Sequence, residues 1–154
     1  MDKTNIDFEG VFLIKKKIIY GDKGSVRHII KSDEKQFKGF KEAYFSTINS
    51  NEVKGWKKHL KMTVNLLVCF GKIEFYICND ENIENPDQKN CLKIIIDEND
   101  NKRLTIEPNI WFAFKSISDR ESMILNISNH IHDFDEVENM PINLALLENF
   151  RILK

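Results

Sequence analysis

The stretch Val53-Lys54-Gly55-Trp56-Lys57-Lys58-His59-Leu60-Lys61-Met62-Thr63, with the run 64–70 that follows it, decides the fold of this 154-residue chain. Apolar residues occupy every second position of that run, which ends at a glycine: Val64, Leu66, Val68, Phe70 and then Gly71. An alternation with a period of two predicts a β-strand with one buried face. The basic and aromatic cluster is therefore expected at the mouth of a strand, beside a pocket.

Length and composition indicate a single domain, 1–154, that is large enough to bury a core. The 23 basic and 24 acidic residues nearly cancel, so the overall charge favours neither a nucleic-acid partner nor a membrane surface. Apolar runs are too short to span a bilayer, and the charged N-terminus lacks the core of a signal peptide. We expect a cytoplasmic protein.

Three cysteines, Cys69, Cys78 and Cys91, are an odd number, and each lies within a segment of strand-like pattern. We interpret them as small buried hydrophobic residues and not as a disulfide framework. This interpretation agrees with a reducing compartment.

Short β-segments account for most of the chain, with predicted strands at 11–20, 25–31, 42–48, 63–70, 72–78, 91–97, 103–106, 110–117 and 122–128. The strands 63–70 and 72–78 are predicted to pair as a hairpin around Gly71. After Pro141, apolar residues recur at helical spacing and predict a helix over 141–151. The chain is thus predicted to be mostly β, a sandwich or barrel of jelly-roll type with a short C-terminal helix.

The polar cluster and a second aromatic segment supply the candidate binding residues. Lys54 and Lys57 would carry positive charge, and Trp56 and Trp111 would offer flat stacking surfaces. Arg27, in the separate segment 24–28, is a further cationic candidate for the same ligand. Such side chains at an apolar, concave mouth suit an anionic ligand that contains a ring. The alternative is a solvated strand end with Trp56 in the core, and local sequence leaves both interpretations open.

Other kinds of site find little support in the sequence. His130 and His132 have a spacing that metal ligands can use, but they follow the last predicted strand and enter a polar stretch. The chain has neither a Gly-x-Ser-x-Gly segment nor a Gly-rich phosphate loop. We therefore expect no metal site and no cofactor.

Several segments resemble the cupin-fold proteins related to dTDP-4-dehydrorhamnose 3,5-epimerase, which act on nucleotide-linked sugars in polysaccharide biosynthesis. Their order and spacing hold from about Tyr20 to Glu136, and the segments are 24–28, 42–46, 53–63, 106–111 and the His-Asp-x-x-Glu motif of His132, Asp133 and Glu136. The resemblance implies a cupin-type jelly-roll barrel that binds a nucleoside-diphosphate sugar at its mouth, without a metal. It also implies a homodimer in which the N-terminal strands, within 1–20, are exchanged.

The chain departs from this family at the residues that carry its chemistry. In the family's Arg-Gly-x-His motif, Lys54 replaces the phosphate-binding arginine and Lys57 replaces the histidine base. With the chain aligned on Glu136, the family's tyrosine acid falls on Leu125. Phe112 stands where metal-binding cupins have a histidine. The family's usual residue set for 3,5-epimerisation is therefore absent.

Three functions remain open. The first is an epimerase or ketoisomerase acting on a nucleoside-diphosphate 4-keto-6-deoxy sugar, with His59 as the base and Lys57 or Tyr44 as its partner. The second is a non-catalytic protein that binds a sugar nucleotide or has a regulatory role, and the third is a structural partner in glycan assembly. A proton-transfer residue facing His59 would distinguish them; Tyr44, Tyr76 and His28 are the candidates.

Overall fold

The computed structural model describes residues 3–4 and 6–153 of the chain. Its strands are β1 (Lys3–Thr4), β2 (Val11–Lys15), β3 (Ile18–Gly21), β4 (Gly24–Arg27), β5 (Glu42–Ile48), β6 (Val53–His59), β7 (Val64–Phe70), β8 (Lys72–Cys78), β9 (Cys91–Asp97), β10 (Lys102–Ile106), β11 (Trp111–Ser116), β12 (Ser122–Ser128), β13 (Val137–Asn139) and β14 (Arg151–Ile152). One short α-helix, α1, spans Leu144–Leu147. The predicted mostly-β architecture with a short C-terminal helix is confirmed.

Two six-stranded sheets form the body of the fold. The first has the strand order β1-β2-β10-β7-β12-β5, the second has the order β13-β6-β11-β8-β9-β14, and β3 and β4 form a separate hairpin. Apolar side chains from both sheets pack in one cluster that includes Val64, Leu66, Phe75, Ile94 and Leu104. The predicted exchange of the N-terminal strands involves residues 1, 2 and 5, which lie outside the described residues, and it stays a prediction.

Local alternation located the regular strands accurately and failed where a long-range contact intervenes. The predicted strands at 42–48, 72–78, 91–97 and 122–128 have the bounds of β5, β8, β9 and β12. The predicted strand 11–20 is broken at Lys16, whose backbone N–H donates to the carbonyl of Asn101 at 2.9 Å. The Lys16 side chain turns inward to a buried ion pair with Glu34. The predicted strand 25–31 is also shorter and ends at Arg27.

The predicted hairpin of strands 63–70 and 72–78 is wrong. β7 pairs with β10 and β12 in the first sheet, whereas β8 pairs with β9 and β11 in the second. Only Gly71 separates the two strands, and the commonest tight hairpins need two loop residues. The chain therefore turns a corner from one sheet into the other. Residues on both faces of β7 are buried, while Phe70 at its end is 53% exposed.

Gly71 is required at this corner, which gives a stability prediction. Its φ is +83°, and a Cβ atom placed there would lie 2.2 Å from Oγ of Ser122. We expect Gly71→Ala to lower the free energy of unfolding by about 1–3 kcal/mol, measured by urea denaturation. Gly21→Ala is the matched control, since its Cβ would meet only the Gly24 carbonyl at 3.6 Å. Equal urea concentrations at the unfolding midpoints of Gly71→Ala and Gly21→Ala would contradict the prediction.

The interpretation of the cysteines as unpaired hydrophobic residues is wrong for two of the three. Cys78 and Cys91 form a disulfide and are both fully buried, while Cys69 is free. The two are opposite each other in the register of β8 and β9, with their Cα atoms 4.1 Å apart. Which two residues of an antiparallel pair lie directly opposite each other depends on the register of the strands, and the sequence alone does not specify that register. The cysteines therefore no longer argue for a reducing compartment, and the cytoplasmic location stays a prediction.

The C-terminal segment covers the outer face of the second sheet. The helix is shorter than the predicted 141–151 because the chain re-enters the sheet, where Arg151–Ile152 pairs in parallel with β9. The Asn143 side chain caps the helix by accepting the backbone N–H of Ala145 at 3.1 Å. Leu147 and Phe150 pack against the sheet. None of the helices that the structure describes has the length and apolar character needed to cross a membrane.

Candidate active site

A cavity of about 190 Å³ opens between the two sheets. Strands β5, β7 and β12 of the first sheet form one wall, and β6 and β11 of the second sheet form the other. Its polar lining comprises Tyr44, Ser46, Lys54, Lys57, His59 and Asn126, and its apolar lining includes Leu66, Phe112, Phe114 and Ile124. All three residues predicted to be catalytic, His59, Lys57 and Tyr44, thus line the same cavity.

His59 and Glu136 form a buried pair at one side of the cavity. Nδ1 of His59 is hydrogen-bonded to Oε1 of Glu136, and the two side chains are 5% and 1% exposed. The other carboxylate oxygen accepts the backbone N–H groups of Lys61 and Met62, both at 3.1 Å. An ionised carboxylate only accepts hydrogen bonds, so the proton of the neutral imidazole lies on Nδ1. Nε2 is left as the basic nitrogen of a residue that lines the cavity.

The electrostatics of the pair favour a neutral histidine beside an ionised carboxylate. Burial lowers the pKa of His59, and the hydrogen bond that His59 donates to Glu136 only partly opposes this effect. Burial by itself would raise the pKa of Glu136, but the bonds from His59 and the two backbone N–H groups outweigh burial and hold that pKa below its usual value. His59 is therefore a ready proton acceptor at neutral pH.

A β-bulge in β6 directs two lysines into the cavity. Lys54 and Lys57 pair with Phe114 and Phe112 of β11, so two residues of β6 oppose one residue of β11. Strict alternation would place residues three apart on opposite faces, and the extra residue of the bulge restores them to one face. Gly55 permits the close contact, because a Cβ there would lie 2.8 Å from the carbonyl oxygen of Phe112. Lysines at positions 54 and 57 can thus both line the cavity.

The two lysines differ in their surroundings. Nζ of Lys54 donates to the carbonyl of Thr47 and lies 3.5 Å from Oγ of Ser46. Burial lowers the pKa of Lys57, and the positive charge of Lys54 lowers it further. Lys54 thus lies at the exposed rim, while Lys57 lies deeper in the cavity.

Tyr44 supplies a hydroxyl group from the opposite sheet. It pairs with Asn126 in the register of β5 and β12, and Nδ2 of Asn126 donates to the Tyr44 hydroxyl at 2.9 Å. Of the other two candidates for a partner of His59, Tyr76 is buried outside the cavity beside Glu74, and His28 follows the β3–β4 hairpin. Tyr44 is the candidate that shares the cavity with His59.

The structure corrects three of the predicted ligand contacts. Trp56 and Trp111 are 3% and 4% exposed and pack in the cluster under the C-terminal segment, so neither can stack on a ligand in the cavity. Their strand neighbours Lys57 and Phe112 line the cavity, so the two tryptophans point to the opposite faces of β6 and β11. Arg27 lies on the separate β3–β4 hairpin, where Nη1 donates to the Glu98 carbonyl at 2.8 Å. These positions depend on strand faces and on hairpin placement, which a motif does not specify.

The alignment of the family's tyrosine acid with Leu125 also does not fit the structure. Ile124 and Asn126 line the cavity, so Leu125 between them points to the other face of β12. The cavity hydroxyl comes instead from Tyr44 on the neighbouring strand. Glu136 belongs to the His-Asp-x-x-Glu motif, but the sequence does not indicate its bond to His59, because the two residues are 77 positions apart.

The donor set of the described residues does not resemble a metal centre. Among them, no group of three or more histidine, cysteine, aspartate or glutamate side chains could hold a metal ion. The residues beside His59 in the cavity are Phe112, whose ring stacks at a centroid distance of 6.0 Å, and Lys57, two positions earlier on the same strand. The absence of a metal stays a prediction, which elemental analysis of the purified protein would test.

Comparison with known proteins finds similarity to a glycan biosynthesis epimerase and to sugar isomerases. No protein-family model matches the chain. It is 25% identical over 122 residues to the probable low-salt glycan biosynthesis epimerase Agl13 of Haloferax volcanii, and the match covers 78% of each chain. The crystal structure of a dTDP sugar isomerase from Desulfovibrio desulfuricans G20 has a TM-score of 0.78 and 26% identity, covering 91% of this chain and 89% of that one.

A further structure has the same fold at lower identity. It is a variant of the 3,4-ketoisomerase QdtA from Thermoanaerobacterium thermosaccharolyticum in complex with TDP-4-keto-6-deoxyglucose. Its TM-score is 0.69 at 20% identity, covering 85% of this chain and 88% of that one. The cupin-type jelly roll and the resemblance predicted from sequence are thereby confirmed. The chain is related to the cupin-fold family of dTDP-sugar epimerases and isomerases.

Proposed function

We propose that this protein is an epimerase or ketoisomerase that acts on a nucleoside-diphosphate 4-keto-6-deoxy sugar in the biosynthesis of a surface polysaccharide. The observation that carries the proposal is the His59–Glu136 pair, whose histidine lines one wall of a cavity whose other wall carries Tyr44. A neutral base and a hydroxyl on two sides of one cavity suit proton transfer next to a ketone. The names of the relatives support the same class of reaction.

The residues perform the reaction in two proton transfers. Nε2 of His59 takes the proton from a carbon next to the ketone, and Glu136 stabilises the imidazolium that results. The electron pair moves toward the ketone oxygen, which accepts a hydrogen bond from the Tyr44 hydroxyl. Protonation of the same carbon on its other face by the Tyr44 hydroxyl gives an epimer. Delivery of the proton from His59 to the former carbonyl carbon, with transfer of the neighbouring hydroxyl proton to the former ketone oxygen, gives a ketoisomer.

The size and charge of the cavity indicate how the substrate lies. A volume of about 190 Å³ suits the sugar better than a complete nucleotide sugar. Lys54 at the exposed rim is then the residue for the diphosphate. Because the two tryptophans are buried elsewhere, the base of the nucleotide lies outside the cavity on a surface that they do not form.

We also propose that the protein is a homodimer. The β3–β4 hairpin exposes apolar side chains at Ile19, Tyr20 and Val26, and the edge strand β5 exposes Phe45. Apolar groups at an open sheet edge favour burial against another surface. Light scattering on the purified protein would test this, and a monomer at micromolar concentration would contradict it.

Ligand binding gives a direct test of the role of Lys54. We expect Lys54→Ala to weaken the binding of a nucleoside diphosphate by about 1.5–3 kcal/mol, measured by calorimetry, because a hydrogen bond to a charged group is lost. Lys58→Ala is the control, since Nζ of Lys58 pairs with Glu138 at 2.9 Å and does not line the cavity. The free sugar should not raise the melting temperature. An unchanged affinity in Lys54→Ala would remove this residue from the site.

The proposed reaction itself is tested by incubating the protein in deuterium oxide with dTDP-4-keto-6-deoxyglucose. Proton abstraction next to the ketone exchanges the proton with solvent, so NMR should show deuterium at that carbon. Binding of keto-sugar nucleotides without exchange across a panel of them would instead establish a non-catalytic sugar-nucleotide-binding protein.

A further inference from the structure

We propose that Lys57 acts as a nucleophile, whose side-chain amine condenses with the substrate ketone to form an iminium ion before the neighbouring proton is removed. This inference rests on the proposed function and adds a covalent step to it. Lys57 would then be a catalytic residue in its own right and not an electrostatic partner of His59.

The position of Lys57 supports this role. It lies two residues before His59 on the same face of β6, and both side chains line the cavity. Within the part of the chain that the structure describes, the Lys57 ammonium group has neither an ion-pair partner nor a hydrogen-bond acceptor. The neighbouring Lys58, by contrast, is paired with Glu138 on the other face of the strand. A half-buried lysine without a structural partner is free to react with a ligand.

The surroundings of Lys57 also favour the reactive, unprotonated amine. Burial disfavours the charged ammonium form and lowers the pKa of Lys57, the nearby charge of Lys54 lowers it further, and the Glu136 carboxylate only partly opposes these two effects. Nζ of Lys54 donates to the Thr47 carbonyl, which holds the Lys54 side chain beside the cavity. A desolvated lysine beside a second cation is a recognised arrangement for activating an amine toward carbonyl groups.

The reaction balances with the groups in the cavity. The amine nitrogen adds to the ketone carbon, the ketone oxygen leaves as water with protons from the amine and from Tyr44, and an iminium ion remains. Nε2 of His59 then takes the proton from the neighbouring carbon, and the electron pair moves into the iminium to give an enamine. Reprotonation of that same carbon on its other face regenerates the iminium ion, and addition of water restores the ketone of the epimer and the Lys57 amine. No oxidant or reductant is needed.

An iminium ion can be trapped by reduction, which provides the experiment. The full chain is incubated with dTDP-4-keto-6-deoxyglucose and sodium cyanoborohydride, and the intact mass and the modified peptide are measured. We expect a single stable adduct of the sugar nucleotide at Lys57. Lys57→Arg should form no adduct because arginine keeps the charge but does not form the imine, while Lys58→Arg should be labelled as in the unmodified protein.

Oxygen exchange is the second measurement, and it does not depend on any variant folding. Iminium formation replaces the ketone oxygen with oxygen from solvent, so in ¹⁸O-water the unmodified protein should accelerate incorporation of ¹⁸O into the ketone. We expect Lys57→Arg to reduce this acceleration by about 10²-fold or more. The spontaneous exchange of the ketone without protein sets the baseline.

The outcomes separate this inference from the proposed function. Deuterium exchange without an adduct at Lys57 and without accelerated ¹⁸O incorporation would overturn the covalent step and leave the isomerase intact. An adduct at Lys57 without deuterium exchange would support the covalent step and overturn the proposed isomerisation. An adduct at another lysine would also overturn the inference.

Discussion

The variant His59→Asn should lose deuterium exchange at the carbon next to the substrate ketone, with a rate about 10²–10⁴-fold below that of the unmodified protein. Asparagine can still donate a hydrogen bond to Glu136, but its side chain cannot take a proton at neutral pH. Nucleotide binding should be retained, because Lys54 at the rim is unchanged. NMR in deuterium oxide measures the exchange, and calorimetry measures the binding.

His28→Asn is the matched control for this variant, since His28 lies beside the β3–β4 hairpin and does not line the cavity. It should exchange the proton as fast as the unmodified protein. If His59→Asn also exchanges at that rate, His59 is not the base, even if the protein is an isomerase.

The variant Glu136→Gln should produce a loss of similar size, about 10²–10⁴-fold in kcat with little change in KM. Two backbone N–H groups, from Lys61 and Met62, point at Oε2 of Glu136. The glutamine oxygen must therefore face them, which turns the amide NH₂ group toward Nδ1 of His59. That donor requires an unprotonated Nδ1, so the proton moves to Nε2 and the base is no longer available to substrate.

The pH dependence provides a signature of the same pair. Because burial lowers the pKa of His59, the neutral base persists below its ordinary value of 6.5, and kcat/KM should fall only as the pH drops through the lowered pKa. The Glu136 carboxylate raises the pKa of His59. In Glu136→Gln this effect is lost, so the residual kcat/KM should fall at a still lower pH than in the unmodified protein. Glu138→Gln is the control, since that carboxylate is half-exposed and pairs with Lys58. Equal kcat values for the two variants would contradict the role of Glu136.

The sequence by itself determined the regular strands and the chemistry of the cavity. Strand formation is a local property with a period of two, so β5, β8, β9 and β12 were predicted with their observed bounds. Lys57 and His59 share a strand face for the same local reason, and both line the cavity. The motif around them carried the resemblance to sugar-nucleotide epimerases, and the similarity to relatives supports it.

Only the tertiary structure decided how these local pieces meet, because register and sheet assignment depend on residues far apart in the chain. The single-residue corner at Gly71 sends β7 and β8 into different sheets, and the register of β8 with β9 brings Cys78 opposite Cys91. The bulge opposite Ala113 directs Lys54 into the cavity and leaves Trp56 under the C-terminal segment. The bond between His59 and Glu136 joins residues 77 positions apart, and no local pattern reports a contact of that range.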